Sequence, residues 1–256
     1  MKILVNQKMF ELLLSGWLIL APVIFVVLFF FPAPYGRHWK NGWGAQVPSR
    51  VGWIIMELVS LLGMTWLFLT GTRSNNAVAV FFLALWLLHY GYRALLFPLT
   101  RRYTKPSMPF VIVLFGMVFN ICNSFFNGFF LFHLAAPYPT VWFLDMRFIL
   151  GVILFLVGFG IHTHSDHILN KLKSAQHSDY RIPYGGFFRW VSCPNYFGEI
   201  IEWTGWALAT WSLAGLGFAL WTVANLAPRA LFHHKWYYKT FRDYPPERKA
   251  LVPFLF

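Results

Sequence analysis

The sequence predicts an all-α integral membrane protein with seven transmembrane helices, and three observations carry that reading. Of the 256 residues, 58% are hydrophobic and only 12% are charged. Apolar runs long enough to cross a bilayer recur along the chain, and Lys and Arg gather in alternate loops. A soluble all-α protein would have to bury several wholly apolar helices of about 20 residues in one core, a poorer solution than lipid.

Apolar runs of roughly 18 residues are expected to form helices at residues 10–32, 51–70, 77–99, 109–134, 148–164, 197–212 and 214–232. The first carries Glu11, is long enough to cross, and runs into PAPYGRH without a small-residue cleavage pattern, so it is read as a span. Loops after spans one, three and five, with the tail, hold Arg37, Lys40, Arg50, Arg101, Arg102, Lys105, Lys171 and the basic C-terminal segment. The opposite side holds Lys2, Lys8, Arg73 and Arg147. The positive-inside rule therefore places the C-terminus in the cytosol and the N-terminus outside, which requires an odd number of spans.

The formal charge of +12 is largely this topology signal. The remainder suits anionic lipid headgroups or a phosphate-bearing cofactor. The basic residues lie scattered among membrane-hugging loops and form no reading module, so nucleic acid is excluded as a partner. Cys122 and Cys193 stand in different segments, indicating neither a disulfide framework nor a cysteine metal site. A single transmembrane domain spanning 1–256 is expected, without internal repeats. It is expected to be monomeric, with the small residues of GVILFLVGFG serving packing within the bundle.

Polar residues inside apolar spans are the functional clue, because an ionisable group at membrane depth is costly and normally faces a bundle interior or a wet cavity. Asn195, Glu199 and Glu202 stand at i, i+4 and i+7, on one helical face. Glu57 lies in WIIMELVSLL with no Lys or Arg within a helical turn. It is expected to keep its proton and donate a hydrogen bond to a carbonyl oxygen, the plainer alternative being a bond to a neighbouring helix. Tyr90 and Arg93, at i and i+3, are either interface anchors or a donor pair. Asn120, Asn123 and Asn127 form a stripe that fits interhelical bonding or a polar pocket equally.

Span five ends in HTHSDHILNK, where His162, His164, Asp166 and His167 crowd together. No HExxH or cysteine partner is present, and among them His162 and Asp166 share the favourable spacing. A hydrogen-bonding cluster is expected there and no metal. The tail helix presents Arg229, His233 and Trp236 at i, i+4 and i+7 with Tyr237 beside them, a face suited to phosphate and ring contacts.

The blocks YRIPYGG, PNYFGEIIEW, HSDHIL, RALFHHKWYYKTFRDYP and ERKALVPFLF, with PYGRH, PSRVGW, MEL and HYGYR upstream, closely resemble the steroid 5α-reductase family over essentially the whole chain. The resemblance implies a seven-helix membrane enzyme taking NADPH from the cytosol and a 3-oxo-4-ene steroid, or a related lipophilic enone, from the lipid. It makes Glu57 and Tyr90 the pair that holds the ketone oxygen, and Trp53 and Phe119 walls of the steroid pocket. Around the cofactor it implies Tyr35, Arg37, Asp166, Tyr180, Arg181, Asn195, Glu199, Arg229, His233 and Tyr237. Hydride would pass from the nicotinamide to carbon 5 of the enone.

Four positions depart from the animal members. Met56 replaces a Gln, His162 replaces an Asn, and Arg101 and Lys173 replace an Asn and an Arg near the cofactor phosphates. His162, Arg101 and Lys173 are kept as cofactor candidates because each still donates a hydrogen bond. GxGxxG is absent, so helix faces and loops must hold the dinucleotide. Two other classes fit parts of the pattern. A membrane methyltransferase using S-adenosylmethionine could share the C-terminal blocks but gives no reason for Glu57 and Tyr90, and a non-catalytic sterol or lipid binder could use the same cavity. The membrane would be the inner membrane in a bacterium and the endoplasmic reticulum in a eukaryote.

Overall fold

The computed structural model describes residues 6–32, 38, 42–103, 106–172 and 180–256. Its chain divides into two compact units, one comprising residues up to Leu18 with Pro34–Phe148, the other Ile19–Ala33 with Ile149–Phe256. Helix α1 (Gln7–Phe30) contributes residues to each.

In the first unit, α2 (Ser49–Thr70) and α5 (Phe110–Phe129) are the central pair. Helix α3 (Ala77–Gly91) passes through a π-helical turn at Tyr92–Leu96 into the short α4 (Phe97–Thr100). Asn76 starts α3 as an N-cap, its side chain accepting from the Ala79 amide at 2.9 Å, which satisfies one of the free N–H groups of the first turn. Small residues let α5 close on α2. A Cβ on Gly116 would collide with the Met56 side chain, and one on Gly63 would meet Ser124 Oγ at 3.0 Å. The first half of α1 lays Phe10 against Phe126 and Phe129, with ring centroids 5.9 and 5.8 Å apart.

The fold is all-α as expected, with one short ribbon beside the helices. Strands β1 (Gln46–Pro48) and β2 (Ser107–Pro109) pair antiparallel, Val47 opposite Met108. Each ends in a proline whose φ, −55° at Pro48 and −60° at Pro109, suits the step into the following helix. The ribbon thereby holds the N-termini of α2 and α5 side by side, reinforced by Ser49 N donating to Pro106 O and Phe110 N to Ala45 O, both at 2.8 Å. Three residues are too few to leave a readable alternation.

In the second unit, α6 (Met146–Lys171) runs against α7 (Pro194–Thr210) at backbone distance. A Cβ on Gly158 would stand 2.3 Å from Glu202 N, and one on Gly198 would stand 2.5 Å from His162 N. The small residues of GVILFLVGFG are thus used for packing inside this unit. Trp211, in the left-handed region with φ 46°, and Ser212 make the two-residue reversal into α8 (Leu213–Thr240). Ser212 Oγ caps α8 by accepting from the Gly215 amide at 3.0 Å. The C-terminal tail is pinned to the segment before α7, with Ser192 N donating to Lys249 O at 2.8 Å and Lys249 N to Trp190 O at 2.9 Å.

Among the described residues, five helical segments are long and apolar enough to cross a membrane: Gln7–Phe30, Ser49–Thr70, Ala77–Thr100, Phe110–Leu134 and Met146–Lys171. The two remaining runs expected to span also fold as helices. Helix α7 has only 17 residues, and α8 carries Arg229, His233, His234, Lys235 and Lys239 toward its end.

Candidate functional site

In the first unit a polar network forms inside the apolar bundle. Glu57, 8% exposed, sits two turns into α2, where a charge-bearing group is tolerated only with partners. Its Oε1 lies 3.4 Å from Arg93 Nε, and its Oε2 accepts from Asn120 Nδ2 at 3.4 Å. Tyr90 Oη donates to Asn120 Oδ1 at 3.4 Å. The two residues expected to grip a ketone are therefore joined through a third. Glu57 has no Lys or Arg within a helical turn of its own helix, and the packing of α2 against the π-helical turn brings Arg93, remote in sequence, alongside it. Such one-residue widenings of a helix recur at functional sites.

Aromatic faces hold the guanidinium in place. Arg93 Cζ stands 4.6 Å from the Trp53 ring centre and 5.0 Å from that of Phe97. Arg101 Cζ covers Phe97 as well, at 4.6 Å. Trp53 packs beside the Met56, Met108 and Val113 cluster, and its Nε1 is buried without a hydrogen-bond partner among the described residues. Tyr103 Oη shares that condition, and burial pushes its phenol up despite Arg101, Arg50 and Arg93 nearby. Phe119 packs against Trp17 of α1 with the rings tilted and their centroids 5.7 Å apart.

In the second unit a different network forms. His162, 1% exposed, places Nδ1 3.4 Å from Glu202 Oε2 and Nε2 3.3 Å from Asp166 Oδ2, with Glu199 Oε2 4.0 Å from Nε2. Asn195 Nδ2 donates to Asp166 Oδ1 at 3.2 Å. The face shared by Asn195, Glu199 and Glu202 thus meets the His162 and Asp166 pair, one turn apart on α6. The close glycine contacts between the two helices permit this approach.

A second cluster in this unit joins Arg229, 8% exposed, to His233, 6% exposed. Arg229 Nε donates to Tyr196 Oη at 3.0 Å, and that oxygen lies 3.1 Å from His233 Nε2. Tyr237 stacks on Tyr244, centroids 5.0 Å apart and planes 10° apart, and Tyr180 meets Trp236 edge to face. Tyr244 bonds Ser192 at 2.7 Å, and burial pushes its phenol up to about 12. Arg181 is exposed. Tyr35, Arg37 and Lys173, expected at the cofactor, lie outside the described residues.

Several members of these networks escaped the sequence reading of the site. Tyr196 sits inside PNYFGE, and nothing in its spacing connects it to Arg229 on another helix. Glu202 and Asn120 were visible as members of stripes, but a stripe does not say which member touches what. Asn123 and Asn127 resolve as a pair on α5, Asn127 Nδ2 donating to Asn123 O at 3.0 Å.

The donor set of the second unit suits a dinucleotide. An amide and two carboxyl groups can bond a carboxamide and sugar hydroxyls, and an arginine and a histidine beside aromatic rings can hold phosphates and a base. The first unit offers a hydroxyl and a carboxyl group linked through one amide amid aromatic walls, which suits one neutral oxygen on an apolar ligand.

Comparison with known proteins places this geometry in a family. The family model described as 3-oxo-5-alpha-steroid 4-dehydrogenase matches residues 106–256. Steroid 5-alpha-reductase DET2 of Arabidopsis thaliana is 37% identical over 262 residues, covering 100% of each chain. The human 3-oxo-5-alpha-steroid 4-dehydrogenase 1 is 41% identical over 224 residues, covering 87% of this chain and 86% of its own. Its human counterpart 3-oxo-5-alpha-steroid 4-dehydrogenase 2 is 41% identical over 233 residues, covering 88% and 89%. The chain belongs to the 3-oxo-5α-steroid 4-dehydrogenase family.

Proposed function

We propose that this protein reduces the carbon 4,5 double bond of 3-oxo-4-ene steroids to 5α-3-oxosteroids, with NADPH as the reductant. The observation that carries the reading is the linked Glu57, Asn120 and Tyr90 network, buried among aromatic walls in a chain of this family. NADPH, when bound, supplies the hydride that carbon 5 receives. Asp166, Asn195, Glu199, Arg229, His233 and Tyr237 would hold it, with His162 fixing the two α7 carboxyl groups and Tyr180 and Arg181 as further contacts.

As carbon 5 gains hydride, the electron pair of the double bond moves toward the ketone and the oxygen becomes enolate-like. Tyr90 donates its hydroxyl proton to that oxygen, and Glu57 presents its carboxyl group from the neighbouring helix. A carboxyl group has four lone-pair directions over its two oxygens, so Glu57 can carry a proton toward the ketone while Arg93 and Asn120 stay beside it. Carbon 4 then takes a proton that comes from bulk water, giving the saturated ketone and oxidised cofactor. Trp53 and Phe119 wall the apolar rings and exclude water.

The same reading makes the protein a monomeric, multi-pass membrane enzyme of seven spans, with the N-terminus outside, the C-terminus cytosolic and the steroid entering from lipid. The helices falling on the seven apolar runs and the distribution of Lys and Arg support it. The test is incubation of purified protein with NADPH and a panel of 3-oxo-4-ene steroids, following absorbance at the nicotinamide band and the configuration at carbon 5. Cofactor oxidation with 5α product is expected. Steroid binding without cofactor oxidation would make the protein a binder, and affinity for S-adenosylmethionine in place of NADPH would make it a methyltransferase.

A further inference from the structure

We infer that Asn120 is a positioning residue that locks Glu57 and Tyr90 into one hydrogen-bonded unit, a role that rests on the proposed polarising pair and extends it. The side chain is 4% exposed and reaches from α5 to both other helices. Its Nδ2 donates to the Met56 carbonyl at 2.7 Å and to Glu57 Oε2 at 3.4 Å, and its Oδ1 accepts from Tyr90 Oη at 3.4 Å.

The orientation of the amide follows from its neighbours. The Met56 carbonyl can only accept, so the nitrogen must face it. The oxygen then faces Tyr90, whose hydroxyl must donate. One side chain thus spends two donors on α2 and one acceptor on α3, and it holds the Tyr90 hydroxyl in place until a ketone oxygen takes over as acceptor.

The distances divide the labour. The 2.7 Å bond to Met56 is the anchor, made to the backbone one residue before the acid it positions. The two 3.4 Å contacts lie beyond the usual optimum and can yield to a ketone oxygen at shorter range. The anchor itself is fixed along the helix, because Ser124 Oγ bonds the Asn120 backbone carbonyl and packs over Gly63 of α2. An amide performs this task without adding charge beside the Arg93 and Glu57 pair, which a carboxylate or a lysine would unbalance.

The test is a set of double-mutant cycles on the purified full-length protein, combining Asn120→Ala with Glu57→Gln and with Tyr90→Phe. Steroid turnover, steroid KM, NADPH affinity and melting temperature are measured for every variant. Asn120→Ala is expected to lower kcat about 10- to 100-fold, the cost of a small misplacement, with KM changed far less. In either single-mutant background its further effect on kcat should nearly vanish, since residues acting as one unit are not additive. Asn120→Ser, which retains a hydroxyl donor toward α2, should melt close to the parent and lose kcat to a similar degree. Parent-like kcat in both Asn120 variants, or full additivity in both cycles, would overturn the inference while leaving the pair intact. Parent-like turnover in Glu57→Gln and Tyr90→Phe themselves would sink the pair, and this inference with it.

Discussion

The two polar centres of this protein are built on opposite plans. In the first unit donors converge on one acid, with a guanidinium and an amide at Glu57 and a hydroxyl joined to it through that amide. In the second, three carboxyl groups converge on one imidazole, His162. A centre rich in donors grips an oxygen that gains negative charge during a reaction. One rich in acceptors bonds hydroxyls and amides, the groups that a nicotinamide nucleotide presents. Both sit in apolar helices, and each buries its polar groups against partners of the opposite kind.

That contrast can be broken by mutation. The largest effect is expected at the donor-rich centre, where Glu57→Gln or Tyr90→Phe should cut turnover by about 10² to 10³, the usual worth of one oxyanion donor, and leave NADPH affinity close to the parent's. Initial rates together with cofactor titration check this. Equal loss of cofactor affinity would erase the distinction between the centres.

His162→Ala should act the other way, weakening NADPH affinity and stability together. Removing the imidazole takes one partner from each of these carboxyl groups, and breaking a buried pair costs about 3–5 kcal/mol. Thermal melting in detergent, with and without NADPH, reads it. Gly158→Ala should be milder. Its new Cβ would meet Glu202 N at 2.3 Å and Gly198 O at 2.5 Å, so α6 and α7 must part slightly, at an overpacking cost of about 1–3 kcal/mol. A lower melting temperature and weaker NADPH binding are expected, with no change in the preference among enones.

The smallest effect lies outside both centres and serves as their control. Asp145 accepts from the Arg147 amide at 2.9 Å at the start of α6, and the Arg147 guanidinium holds its carboxyl down at about 2. A depressed carboxyl contributes stability above its ordinary value, 3.8, and loses it as pH falls toward about 2. Asp145→Asn should therefore lower the melting temperature slightly at neutral pH and low salt, with the gap closing across that acid range. Turnover should not change.

Much of the architecture was legible because membrane helices announce themselves by length and composition. The helices fall where the apolar runs predicted them, α2 opening two residues before its run and α8 extending eight residues past its own. The ribbon Gln46–Pro48 with Ser107–Pro109 was not legible, since three-residue strands ending in proline carry no periodic signal. The face of Asn195, Glu199 and Glu202 could be read because three residues at helical spacing must share a side. What that face meets could not be read, because it depends on Gly158 and Gly198 drawing two backbones together. Arg93 illustrates the same limit. Its spacing tied it to Tyr90, whereas its partner Glu57 comes from another helix and its cradle from Trp53 and Phe97.

The most direct test of the central claim is a structure of the protein with oxidised cofactor and a 3-oxo-4-ene steroid bound. The account predicts the steroid's 3-oxygen within about 2.6–3.2 Å of both Tyr90 Oη and the Glu57 carboxyl, with Asn120 still bonded to Met56 O. A steroid bound with that oxygen away from both side chains would contradict it.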